Sequence, residues 1–267
     1  MGAPGSIQWP ALSTDGKRVA VTRDDAQTSS LDIWIHDLAN GAATRFGPQG
    51  AGLPVWSPGG SHIAFAAYGD GHFAQQATSG LSLEEPLYNE EPRFYPSDWS
   101  PDGRYIVGNI LLETGPVLRL LPLFGTRKLV PYLPSQASPL GARVSPNGKW
   151  LAYVSNDTKQ NEVYVQTFPT PGGQRQVSTN GGSVPVWSRD GKELFFVSAG
   201  KMMVVEVKAG QNFEVGAPRP LFDVVLTGSN PRFEVSKDGR FLLPMLSDQA
   251  PSVPIQVIVN WTAGLKK

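Results

Sequence analysis

Four charged residues of this 267-residue chain fall where side chains can act together: Asp98, Arg143, Arg232 and Glu234. Asp98, Arg143 and Glu234 each stand two places before a serine that opens a recurring turn string. Arg232 stands two places before Glu234 and shares its face by strand alternation. Equivalent positions of a repeat recur at one depth about a common axis, so these groups are expected near a central channel. Asp98 and Arg143 belong to adjacent repeats and suit a bracing ion pair. All four also suit a polar pocket for a small ligand. If a cation is bound, Asp98 and Glu234 are the hard oxygen donors that calcium takes, and such an ion would polarise an ester as in a lactonase or phosphotriesterase. Two carboxylates are a thin donor set for calcium, which takes about six to eight oxygens.

Other chemistry finds little support. His36, His62 and His72 form no His-x-His pair and no His-Glu-x-x-His, so each is expected to be solvated or hydrogen-bonded. There is no Gly-x-Ser-x-Gly elbow for a serine nucleophile. Gly172-Gly173 and Gly181-Gly182 follow strands without opening a helix, which makes them turns and not phosphate cradles. The absence of cysteine excludes disulfides, cysteine-ligated zinc and thiol catalysis together.

The elements that position these residues are read from the turn string itself. It occurs at Ser13-Thr14-Asp15-Gly16-Lys17, Ser57-Pro58-Gly59-Gly60-Ser61, Ser100-Pro101-Asp102-Gly103-Arg104, Ser145-Pro146-Asn147-Gly148-Lys149, Ser188-Arg189-Asp190-Gly191-Lys192 and Ser236-Lys237-Asp238-Gly239-Arg240. The serines are 44, 43, 45, 43 and 48 residues apart. A period in the low forties with one tight turn per unit predicts an all-β, six-bladed propeller of four-stranded antiparallel blades. The expected blades are residues 7–47, 52–90, 94–134, 139–180, 183–224 and 230–262 of one domain over 1–267.

The fourth unit shows the pattern. After its Asn147-Gly148 turn, Trp150–Val154 reads as a buried strand, Glu162–Phe168 as an alternating one and Gln174–Ser178 as a polar outer strand. Trp56, Trp99 and Trp187 precede the motif serine, where Leu12, Val144 and Val235 stand in the other units, and are expected to wedge between blades. On Asp32–Leu38, Ile33 and Ile35 face one way and Asp32, Trp34 and His36 the other. The second unit, with Gly59-Gly60 in the turn and Tyr68–His72 after the strand, predicts an irregular blade. In the last unit only Thr262–Lys267 follow the third strand, Ile255–Trp261. An incomplete blade and self-association through its unpaired edge are therefore expected.

Bulk composition removes several partners. Twenty-three basic residues balance 23 acidic ones, so no nucleic acid or acidic membrane surface is implied. No apolar run reaches the roughly 18 residues of a membrane span, and Met1–Ser6 lacks the pattern of a secretory signal.

At Trp99-Ser100-Pro101-Asp102-Gly103-Arg104 and at Asp32-Ile33-Trp34-Ile35 the chain resembles the TolB-like, WD-repeat-like propellers. A narrower likeness is carried by Glu162–Gln166 with Phe168-Pro169, by Trp187–Phe195 and by Asn260–Lys266. These segments resemble the C-terminal propeller of bacterial eukaryotic-type serine/threonine kinases. That resemblance implies an extracytoplasmic sensory or interaction module. The chain itself carries no Gly-rich loop, catalytic-loop motif or Asp-Phe-Gly. The expected function is thus non-catalytic recognition of a protein, peptide or small ligand at the channel face, without a resident cofactor. A cation-assisted hydrolase is the alternative, resting on Asp98, Glu234 and fold analogy.

Overall fold

A computed structural model describes residues 7–25, 30–69, 71–80, 82–133, 140–209, 213–226, 231–244 and 255–258. Its strands follow the turn string one repeat at a time. The first sheet holds β1 (Ile7–Leu12), β2 (Arg18–Asp25), β3 (Ser30–Asp37) and β4 (Ala43–Phe46). The second holds β5 (Ala51–Trp56), β6 (His62–Ala67), β7 (Phe73–Ala77) and β8 (Glu85–Tyr88). The third is β9 (Phe94–Trp99), β10 (Tyr105–Leu112), β11 (Gly115–Pro122) and β12 (Val130–Pro131). The fourth is β13 (Leu140–Val144), β14 (Trp150–Ser155), β15 (Glu162–Thr167) and β16 (Arg175–Gln176).

The fifth sheet gains a strand. In it β17 (Ser183–Trp187) and β18 (Glu193–Ser198) lead to the long β19 (Lys201–Ala209), whose outer edge is shared. One end of β19 pairs with β20 (Phe213–Val215) and the other with β21 (Arg219–Asp223). The last repeat gives β22 (Glu234–Val235), β23 (Phe241–Pro244) and β24 (Ile255–Ile258). This sheet has three strands among the described residues, and β22 is only two residues long. Among the described residues complete blades therefore number five and not the predicted six. The second repeat forms a four-stranded sheet, and its irregularity lies in the β7–β8 pairing, whose register shifts between Phe73 and Ala74.

The motif turn explains its own composition. The serine Oγ donates to the Asp or Asn Oδ1 two residues on at 2.6, 2.5, 2.7 and 2.8 Å in the first, third, fourth and fifth repeats. It also accepts the backbone N–H of the residue five further on, at 2.9–3.0 Å. All six motif glycines are left-handed, with φ between 68° and 77°, a region that only glycine enters without steric cost. One hydroxyl thus closes the turn and starts the next strand. Ser57 lacks the acidic partner because Gly59 replaces it, but still accepts from His62 N at 3.0 Å.

The chain packs as two compact units, Met1–Pro96 with Leu226–Lys267, and Ser97–Val225. In the first, Trp56 packs with Ala11, Ala20, Ile33, Ile63 and Phe65, and its indole N–H donates to Ala11 O at 2.8 Å. In the second, Trp187 packs with Trp150, Val154 and Phe213 and donates to Arg143 O at 3.0 Å. Each of these tryptophans pins its own inner strand to that of the preceding repeat. Trp99 differs, donating to Gly103 O at 3.3 Å within its own turn. Outer strands such as β12 and β16 are exposed, while β5 and β14 are buried throughout, the gradient expected of a blade.

Candidate functional site

The predicted channel residues divide between the two units. Asp98 lies on β9, and its carboxylate serves the backbone: Oδ1 accepts from Trp99 N at 2.9 Å and Oδ2 from Val144 N at 2.7 Å. Val144 adjoins Arg143 on β13, so a main-chain donor links Asp98 to the adjacent repeat. Arg143, half-buried in the same unit, offers its own carbonyl to Trp187. Arg232 and Glu234 belong to the other unit and are 9% and 7% exposed. The Arg232 guanidinium donates to Pro96 O at 3.0 Å. Among the described residues no group of three or more His, Asp and Glu side chains is placed to hold a metal.

A recurring backbone feature was missed in the sequence. Four inner strands carry a bulge that interrupts their pairing, between Gln8 and Ala11, Gly52 and Val55, Leu140 and Arg143, and Ser183 and Val186. At each bulge one residue is left-handed: Trp9 at φ 47°, Leu53 at 55°, Gly141 at 59° and Val184 at 52°. All four stand four places before the motif serine, the place that Arg232 takes in the last repeat. For Trp, Leu and Val this conformation costs about 1–2 kcal/mol each, and bulges of this kind re-aim side chains. The signal was present in the recurring dipeptides Trp9-Pro10, Leu53-Pro54 and Val184-Pro185.

In the first unit the bulge presents Trp9 beside Tyr68. Their ring centroids lie 6.5 Å apart with planes 27° from parallel, and both side chains are half-buried. Tyr68 is fixed from several sides. Its N–H donates to Gly50 O at 2.8 Å, and Arg93 donates to its carbonyl at 3.4 Å. Its ring covers Gly52, where a Cβ would come within 2.7 Å of the ring. Burial raises the Tyr68 hydroxyl to about 12, the neighbouring Tyr95 raising it further and Arg232 opposing. The phenol is therefore a neutral hydrogen-bonding group at physiological pH. Within this unit Tyr68 thus lies close to Trp9, Tyr95 and Arg232, and Glu234 opens β22, which packs beside β1.

Two buried carboxylates that the sequence reading left without a role prove to be clamps. Asp32, on the third strand of the first repeat, accepts from Arg45 at 3.0 Å and from Gly50 N at 3.2 Å. Glu162, at the matching place in the fourth repeat, accepts from Ser178 Oγ and from Gly181 N, the latter at 3.0 Å. Each ties down the loop that enters the next repeat. The histidines are mostly as expected: His62 Nδ1 meets Ser61 Oγ at 2.9 Å, and His72 Nε2 lies 3.3 Å from Glu84 Oε1. His36 departs, its Nε2 being buried without a hydrogen-bond partner. Burial, with Arg23 adding to it, lowers its pKa from the ordinary value of 6.5.

No family model and no curated protein matches this sequence. Solved structures do. TolB from Acinetobacter baumannii superposes with a TM-score of 0.67 at 16% identity, over 86% of this chain and 58% of that one. The fold is that of a TolB-like β-propeller. A structure from Agrobacterium tumefaciens assigned to TolB gives a TM-score of 0.65 at 17% identity, covering 83% of each chain. A puromycin-hydrolysing peptidase of Mycobacterium tuberculosis gives 0.62 at 17% identity, over 96% of this chain and 45% of that one. The chain thus spans 58% of the A. baumannii protein's length. These likenesses support the TolB-like propeller and do not reach the narrower resemblance to kinase-linked propellers. That narrower reading also drew on Asn260–Lys266, which lies outside the described residues. No helix among the described residues is long and apolar enough to cross a membrane.

Proposed function

We propose that this chain is a non-catalytic recognition propeller of the sensory type, binding a protein, peptide or small ligand through the inner-strand surface of Trp9, Tyr68, Tyr95, Arg232 and Glu234. The carrying observation is the strained, half-buried Trp9 set against a Tyr68 that is locked in place. Strained backbone of this kind is a pointer to function, and of the strained bulge residues in this unit Trp9 is half-buried where Leu53 is buried. The roles of the four predicted residues divide accordingly: Asp98 and Arg143 brace adjacent inner strands, and Arg232 and Glu234 face a ligand. A propeller of six repeats, closed as one domain, is part of the same reading, as is the likeness to kinase-linked sensory propellers. The balanced charge argues against nucleic acid as the partner. Among the described residues β24 pairs on one side only, an edge suited to pairing with a second copy, which light scattering reads directly.

The hydrolase alternative is not favoured, since Asp98 accepts two backbone N–H groups and so has an assigned structural role. A thermal-shift screen of peptides and small metabolites against the protein and its Trp9→Ala variant tests the proposal. Ligand at about a hundredfold its dissociation constant stabilises by about 2.7 kcal/mol. Hits that vanish in Trp9→Ala are expected. Hits indifferent to Trp9, with the variant folded, would place recognition elsewhere.

A further inference from the structure

A basic residue ends the turn string in five of the six repeats. Lys17, Arg104, Lys149 and Lys192 serve the turn through their backbone N–H, which donates to the Asp or Asn Oδ1 at 3.0–3.1 Å and leaves the side chain free of the turn. In two repeats the cation folds back on the acid of its own turn: Lys192 Nζ lies 3.7 Å from Asp190 and Arg240 Nε 2.8 Å from Asp238. In the third and fourth repeats it does not. Arg104 is exposed and lays its guanidinium over the Phe124 ring, 4.8 Å from the centroid, while Asp102 is engaged by Ser100 Oγ and Arg104 N. Lys149 is also exposed, and Asn147 stands where its turn would carry an acid. We infer that Arg104, Phe124 and Lys149 form a docking surface for an acidic peptide segment that sets an aromatic side chain beside its carboxylates. It lies within the Ser97–Val225 unit and is independent of the Trp9 reading.

The first support is a continuous base. Tyr105 packs against the core that holds Val107, Leu151 and Tyr153, and Phe124 meets it edge-on at 5.5 Å between centroids. From the next repeat the buried Phe168 meets Tyr105 at 5.8 Å, and its N–H donates to Lys149 O at 2.9 Å. The two cations and the ring between them are thus joined by contacts across adjacent repeats. Phe124 is still 46% exposed. An open ring on a packed base is ordered before a partner arrives, which lowers the cost of binding.

The second support is charge. Among the described residues no carboxylate lies within ion-pair distance of Arg104 or Lys149. A guanidinium stacked on a ring keeps its rim N–H groups in one plane for a carboxylate, and Lys149 adds a point charge beside it. Lys128, four residues past Phe124 in the same loop, is a further exposed cation. An aromatic side chain of the partner covers Phe124, the kind of contact that with arginine carries much of an interface's energy. A lipid surface suits the site less well. The exposed Leu111 and Leu112 stand at the opposite end of β10, about 20 Å along the strand, and do not extend the apolar area around Phe124.

Fluorescence anisotropy with a labelled, glutamate-rich dodecapeptide carrying two phenylalanines tests this. Its controls are the same peptide with serine for phenylalanine, the same peptide with lysine for glutamate, and phosphatidylglycerol–phosphatidylcholine vesicles. The acidic aromatic peptide is expected to bind with a Kd below about 1 mM, and each control peptide about tenfold more weakly or worse. Binding should weaken as salt rises. Arg104→Glu and Phe124→Ser should each weaken it about tenfold with the melting midpoint kept, Lys149→Glu in the same direction, and Arg104→Lys by less than Arg104→Glu. No binding of the acidic aromatic peptide at millimolar concentration overturns the inference, as does equal binding of the serine control or indifference to Arg104→Glu and Phe124→Ser. Vesicle binding that Arg104→Glu abolishes, without peptide binding, overturns it in favour of a membrane. Peptide binding that is lost in Trp9→Ala and kept in Phe124→Ser overturns it in favour of the inner-strand surface.

Discussion

At the scale of single residues, the motif serine makes the clearest claim. Ser100 is fully buried, and its hydroxyl donates to Asp102 while accepting from Tyr105 N. Ser100→Ala leaves a buried amide without its acceptor and should cost about 1–3 kcal/mol in urea denaturation. Ser57→Ala should fall at the lower end, since Gly59 gives Ser57 no carboxylate to hold. The same hydrogen bonds act on the acids. The Ser13, Ser188 and Ser236 hydroxyls hold Asp15, Asp190 and Asp238 below the ordinary carboxylate value of 3.8. A depressed folded-state pKa stabilises fully above the unfolded value and is lost as pH falls through the folded one. Acid should therefore erode stability below pH 3.8. Replacing the three aspartates by asparagine, as nature has at Asn147, should flatten that limb of a melting-midpoint profile. A profile of unchanged slope would contradict the assignment.

At the scale of elements, much of the fold was readable because each signal is local. The turn string names its own φ requirement, and the alternation of Glu162–Thr167 needs no distant partner. The tryptophan wedges were equally plain at Trp56 and Trp187. What stayed hidden depends on partners far along the chain. Asp98 reads as an ion-pair partner for Arg143 or as a ligand group, and only the fold shows that the N–H of Val144, 46 residues on, donates to it. Nothing local announces that β19 would share its edge between β20 and β21. Three of the four bulges were visible as Xaa-Pro pairs whose register against the serine went unread. They can be tested directly. Gly141 has room for a methyl group, the nearest atom to a Cβ being 3.6 Å away, so Gly141→Ala should cost about 1–2 kcal/mol through φ alone. Val184→Gly exchanges that strain for chain entropy and should be neutral within about 1 kcal/mol. Trp187→Ala should cost about 3–5 kcal/mol by emptying a core position, whereas Trp187→Phe should cost less, keeping most of the packing and losing the bond to Arg143 O.

At the scale of the molecule, the repeat divides its labour. Similar turns recur in every sheet, and the positions two and four before the serine are among those that vary from repeat to repeat. There the chain places Asp98 and Arg143 in one unit, and Trp9, Leu53, Arg232 and Glu234 in the other. A structure whose inner-strand carboxylate is tied to backbone N–H groups is organised to hold its shape and present a surface. The competing account needs Asp98 and Glu234 to share a cation that assists ester hydrolysis. Melting the protein in calcium and in chelator, alongside turnover on an ester panel, separates the two most directly. The recognition account predicts one melting midpoint in both buffers and no turnover above the buffer rate. A midpoint raised by calcium, with ester hydrolysis that Glu234→Gln abolishes, would contradict it.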